Sequence, residues 1–200
     1  MTTLKAEKRS MSIKAKRLRR EGFVTGNIFG REIPESIPIK MERTVAERLL
    51  KTCNKGSQIL LDVDGQVFDV LIKDICFNSM KGLVEEIDFQ ALVSGEKVHS
   101  VAEIILLNHD KVISGVLQQR IQEISYKALP DAIIDKVKVD VGDMKVGDII
   151  RVGDLDIAKN KNIELVTDLD TTVATVIAVH AAAETADEAA PETKQTGNVL

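Results

Sequence analysis

Eight of the first twenty residues are basic, Lys5, Lys8, Arg9, Lys14, Lys16, Arg17, Arg19 and Arg20, and only Glu7 opposes them. Side chains of this kind at this density do one chemistry well. Each cation neutralises a phosphate and releases its counterions, which gives affinity for a polyanion without sequence readout. The run stops at a glycine-punctuated stretch, Gly22-Phe23-Val24-Thr25-Gly26-Asn27-Ile28-Phe29-Gly30. The net charge of -4 hides an asymmetry: residues 1–92 carry 16 Lys and Arg against 13 Asp and Glu, whereas residues 93–200 carry 11 against 18. The first half is built for a polyanion and the second is not.

No catalytic constellation accompanies the basic run. His99, His109 and His180 are scattered, with no Cys or carboxylate at ligand spacing, so each reads as a surface or strand residue and no metal is expected. Phosphate loop, dinucleotide fingerprint and nucleophile elbow are all missing, which predicts a binder rather than an enzyme, with no cofactor and no small-molecule substrate. Asp62, Asp64 and Gly65 lack the further acidic ligands and terminal Glu of a calcium loop. Asp140, Asp143, Asp148, Asp154 and Asp156 sit in turns, where Asp bonds its own backbone. Cys53 and Cys76 form no metal-spaced or redox pair, and no membrane-length apolar run occurs, so a reduced cytosol is the simplest home.

The elements that must position the cations follow from pattern. At 200 residues, the chain is expected to form two domains of roughly 90 residues each. Aromatics are only 3% and Trp is absent, so the cores must be aliphatic, and the fold class expected is mainly β with a few short helices. Residues 12–21 predict a short helix that is basic nearly all round, with Leu18 as its single anchor and Gly22 as a left-handed C-cap. Ile37-Pro38-Ile39 reads as an edge strand, and residues 44–51 as an amphipathic helix with a capping box from Thr44 to Glu47. Residues 59–63 and 66–72 flank Asp64-Gly65, which accepts positive φ at both turn positions, so a two-residue hairpin is expected. A strand from Val84 to Phe89 leads into polar residues 90–97, where the charge balance changes sign; the domain boundary is placed there, between 92 and 93. Further strands are expected over 98–107, 121–127, 137–141, 149–152 and 171–179, and an acidic, disordered tail over 181–200.

The order of pieces resembles a known family. Leu4-Lys5-Ala6-Glu7-Lys8-Arg9, Lys16-Arg17-Leu18-Arg19-Arg20-Glu21-Gly22 and Gly26-Asn27-Ile28-Phe29-Gly30 are similar to the opening of the bacterial large-subunit ribosomal protein family that binds 5S ribosomal RNA, in its long, two-domain general-stress-protein form called CTC. Val70-Leu71-Ile72-Lys73-Asp74, Ile87-Asp88-Phe89-Gln90, Gly95-Glu96-Lys97-Val98, Gly115-Val116-Leu117-Gln118-Gln119 and Val146-Gly147-Asp148-Ile149-Ile150-Arg151-Val152 continue the series to about residue 180.

The resemblance implies an N-terminal β-barrel-like domain that docks on 5S RNA, and a second β domain absent from the short forms. It places Arg9, Lys16, Arg17 and Arg19 on RNA-contacting positions, Lys73 and Asp88 on strands of the RNA-facing side, and Phe29 where Tyr is usual. Chemistry suggests the roles. Arg17 and Arg19 can bridge phosphates or pair with a guanine edge, while Lys14, Lys16 and Arg20 add less directional charge. Phe29 either stacks on a base or ribose or plugs the core; Asp88 either accepts from a guanine edge or 2′-hydroxyls or is a solvent-facing strand residue. Two departures stand out: Met11-Ser12-Ile13 replaces a Gly-Lys-Gly loop, and Glu86 stands where His is frequent. Glu86, two residues before Asp88, is expected to repel phosphate, so its replacement by Gln should tighten RNA binding. Its alternative is to accept from a base amino group or pair with a nearby cation such as Lys73. Two functions are open on these grounds. One is a ribosome-associated, cytoplasmic structural subunit whose partners are 5S rRNA and neighbouring proteins of the large subunit, away from any membrane. The other is a stress-associated protein-interaction module whose second domain is the working part.

Overall fold

The computed structural model describes residues 3–112, 115–160 and 162–178; the acidic tail expected over 181–200 and His180 lie outside the described residues. β1 (Thr3–Lys8), α1 (Ala15–Arg20), β2 (Phe23–Gly30), β3 (Ile33–Glu42), α2 (Arg43–Leu50), β4 (Gln58–Val63), β5 (Gln66–Asn78) and β6 (Leu83–Ala91) make the first module. Its six strands close into a barrel in the order β1-β3-β2-β6-β5-β4. Closure rests on β1, which pairs antiparallel with β3 and parallel with β4. Alternation puts Val24, Ile28, Ile39, Met41, Ile59, Leu61, Val63, Ile87 and Phe89 inside, an aliphatic core with a single buried ring. The Asp64-Gly65 hairpin is present, with φ of 51° and 90° at the two residues and Val63 facing Gln66.

The glycine-punctuated stretch is itself a strand, β2, and its glycine has a packing reason. A Cβ on Gly26 would stand 2.1 Å from the Ile87 carbonyl oxygen of β6, so only glycine allows this close approach. Ile37-Pro38-Ile39 is not an edge strand, because β3 lies between β1 and β2. Pro38 is tolerated because its carbonyl accepts from Arg9 N, just past the end of β1; its missing N–H points to that same side and removes no bond from the β2 ladder. The capping box from Thr44 to Glu47 does not form. Helix α2 starts earlier, at Arg43, whose N–H donates to the Gly22 carbonyl at 3.0 Å, so the barrel satisfies the helix entry in place of a side-chain cap.

The second module contains β7 (Val98–Leu107), β8 (Val116–Gln119), β9 (Glu123–Ala128), β10 (Lys136–Asp140), β11 (Ile149–Arg151), α3 (Asp156–Lys159), β12 (Ile163–Leu165) and β13 (Thr172–Ile177). They form a four-stranded sheet, β10-β7-β9-β12, and a three-stranded sheet, β11-β13-β8. Between them lies a core of Ala102, Ile104, Ile124, Tyr126, Val139, Val152, Leu155 and Ala174. The buried Tyr126 hydroxyl donates to the Ile134 carbonyl and accepts from its N–H, both at 2.8 Å, which satisfies the polar end of the ring. The modules touch where Ser100 Oγ donates to the Gly56 carbonyl, and a Cβ on Gly56 would meet the Val101 carbonyl oxygen.

Candidate nucleic-acid interface

Helix α1 is held by one apolar residue, and the cations are what remains. Leu18 is 3% exposed against the barrel, while Lys14, Lys16, Arg17 and Arg20 are exposed. Gly22, at φ 95°, turns the chain directly from the helix into β2, so the basic turn is mounted on the strand rather than tethered by a loop. Lys14, Lys16 and Arg20 form no ion pair among the described residues. Arg17 Nε donates to Glu21 Oε1 at 2.8 Å, and that bond pushes the guanidinium pKa further above its ordinary value. Arg9 sits at the foot of the helix, where its Nη2 donates to the Ile13 carbonyl at 3.2 Å and braces the Met11-Ser12-Ile13 loop.

Arg19 points the other way. Its Nε donates to the Glu85 carbonyl at 3.1 Å, and its Nη2 to Thr25 Oγ1 and Glu86 Oε2, both at 3.2 Å. The forked head expected to bridge phosphates therefore pins α1 to β2 and β6. Glu86 pairs with Arg19 rather than Lys73, and Arg19 also lies 3.6 Å from Glu85 Oε2, so one positive charge is shared between two carboxylates. Arg19→Ala is expected to destabilise the chain by about 1–2 kcal/mol in a urea melt, because it strips a donor from the Glu85 carbonyl as well as from Glu86. Glu86→Gln, by contrast, should cost under about 1 kcal/mol, since Gln keeps an oxygen acceptor for Arg19 in this half-buried pair. Equal losses for both variants would show that the carboxylate, and not the carbonyl, anchors Arg19.

On the outer side of the same strands lie Asn27, Phe29, Asp88 and Gln90, opposite to the inward Ile28 and Phe89. Phe29 is 38% exposed and pairs in register with Gln90, so it is a surface ring and not a core plug. Asn27 donates to Asp88 Oδ1 through both its backbone N–H (3.2 Å) and its side-chain Nδ2 (3.4 Å), which orients the carboxylate along the strand pair. Lys73 does not join this set. It falls at a register shift in β5, and its Nζ donates to the His99 carbonyl at 2.9 Å in the second module. Burial pulls its ammonium pKa below the ordinary value, with the nearby Lys55 charge adding to the effect.

Sequence reasoning missed two cations. Arg43 and Lys81 line one cleft with Lys16, Arg20 and Glu85, between α1, the first turn of α2 and the β5–β6 hairpin. They lie far apart along the chain, and the pairing of β3, β2, β6 and β5 brings them beside α1.

Comparison with known proteins agrees with this architecture. Residues 4–89 match the model of the Ribosomal L25p family, and residues 86–180 match that of the ribosomal protein TL5 C-terminal domain. The chain is similar to the large ribosomal subunit protein bL25 of Thermoanaerobacter sp. (strain X514), 28% identical over 166 residues and 82% of each chain. It is similar also to the protein of that name from Listeria monocytogenes serotype 4b (strain F2365), 27% identical over 96% of this chain and 93% of the relative. The bL25 of Dictyoglomus thermophilum is 29% identical over 98% and 97%. Taken with the closed barrel and the appended two-sheet module, these matches show that the chain belongs to the L25 family of bacterial large-subunit ribosomal proteins, in its long two-domain form, a family that is structural and not enzymatic.

Proposed function

We propose that the chain is built into the large ribosomal subunit by gripping 5S rRNA through α1 and the outer side of β2 and β6, with residues 1–92 as the RNA-binding unit. The observation that carries this reading is the row of exposed cations on α1, mounted directly on β2, the strand that also carries the exposed Phe29, in an otherwise acidic chain. Lys14, Lys16, Arg17 and Arg20 meet phosphates, and Arg9 adds charge at the base of the helix. Arg19 is a positioning residue that sets the helix against the barrel. Phe29 offers its face to a base or ribose, and Asp88 presents an oriented acceptor to a base edge or 2′-hydroxyl. Lys73 serves the contact between modules and lies outside this grip. Co-sedimentation of the full chain with large ribosomal subunits in moderate salt tests the reading. Stoichiometric retention is expected, and a chain that stays in the supernatant would contradict it.

A further inference from the structure

We infer that the cleft between α1, the start of α2 and the β5–β6 hairpin clamps a backbone phosphate of the bound RNA, with Arg43 and Lys81 joining Lys16 and Arg20 as its cations. The inference rests on the RNA-binding reading and extends it to a second element, the hairpin, that projects beside the helix. Lys16, Arg20, Arg43 and Lys81 all line the cleft, and none of the four forms an ion pair among the described residues. The one carboxylate lining the cleft, Glu85, is already engaged. Its Oε1 accepts from Asn78 Nδ2 at 2.7 Å, and its Oε2 lies 3.6 Å from Arg19 Nη1.

Arg43 is held rather than free. Its Nη2 donates to the Arg19 carbonyl at 2.7 Å, and its buried Nε has no hydrogen-bond partner among the described residues. A guanidinium anchored at one nitrogen and set next to other cations is stabilised by an anion that accepts from its remaining exposed edge. The hairpin tip also suits a nucleic acid better than a free ion. Met80 is 99% and Phe77 54% exposed beside Lys81, which gives apolar surface of the kind that packs on ribose or a base face. A phosphodiester carried in a strand would meet these cations and this tip together.

The test uses the full chain and labelled 5S rRNA, with binding followed by fluorescence anisotropy at several salt concentrations. Lys81→Ala removes no side-chain hydrogen bond among the described residues, so it probes the cleft without disturbing the fold. Lys81→Ala and Arg43→Gln are each expected to weaken binding about tenfold and to make the salt slope shallower by about 0.7–0.9, the value of one phosphate contact. Lys138→Ala, which removes the same charge from the exposed side of β10, is the control and should change little. Native binding with Lys81→Ala indistinguishable from Lys138→Ala would overturn the clamp and leave the RNA-binding reading intact, whereas a native chain that fails to bind overturns both. Titration with inorganic phosphate, followed by amide shifts of residues 77–83, is the second arm. No saturable response supports a clamp for an RNA strand; a saturable response lost in Lys81→Ala would reassign the cleft to free phosphate and overturn the RNA assignment.

Discussion

Replacing Lys14, Lys16, Arg17 and Arg20 together by Ala is expected to weaken 5S rRNA binding about a thousandfold, because the counterion release of four phosphate contacts is lost together. The four side chains are exposed and make no contact with the barrel core; Leu18, which anchors the helix, is untouched. The loss should therefore appear in RNA affinity and not in the melting transition. The pattern among single changes is informative as well. Lys14, Lys16 and Arg20 carry no internal ion pair among the described residues, whereas Arg17 shares its charge with Glu21. Arg17→Ala should accordingly cost less affinity than Arg20→Ala. A quadruple variant that binds like the native chain would remove α1 from the interface.

The second large effect concerns the barrel that carries the helix. Gly26→Ala should destabilise the chain by about 3 kcal/mol or more, since its Cβ would press on the backbone carbonyl of Ile87, which cannot step aside without separating β2 from β6. Gly65→Ala is the informative comparison. It places a Cβ in open space at φ 90°, so only backbone strain of about 1–2 kcal/mol applies. Because β2 and β6 bear Phe29, Asp88 and all three partner residues of Arg19, Thr25, Glu85 and Glu86, the Gly26 variant should lose RNA binding along with its fold. Equal denaturation midpoints for the two variants would mean that the β2–β6 approach is looser than the structure shows.

Local patterns in the sequence carried part of this architecture. The Asp64-Gly65 hairpin, the basic helix with its Leu18 anchor and the strand over 98–107 are legible because each depends on neighbours in the chain. β2 was hidden by its own glycines, which look like turn punctuation until the strand they approach is known. β8 and β12 span only four and three residues, too short for alternation to register. At the interface, residue types pointed to the exposed cations but could not say which way each guanidinium turns. Arg19 and Arg17 are two residues apart on one helix, yet one reaches the Glu85 carbonyl and the other a glutamate on its own helix. Lys73 was placed among the RNA contacts by resemblance. Its diversion to His99 depends on a register shift in β5 that no local pattern announces.

The most direct measurement is the salt dependence of 5S rRNA affinity for the full chain. If α1 and its surroundings neutralise about five phosphates, the plot of log affinity against log salt should be linear with a slope of roughly -3 to -5. A slope near zero, or no measurable binding at low salt, would contradict the electrostatic grip on which this account depends.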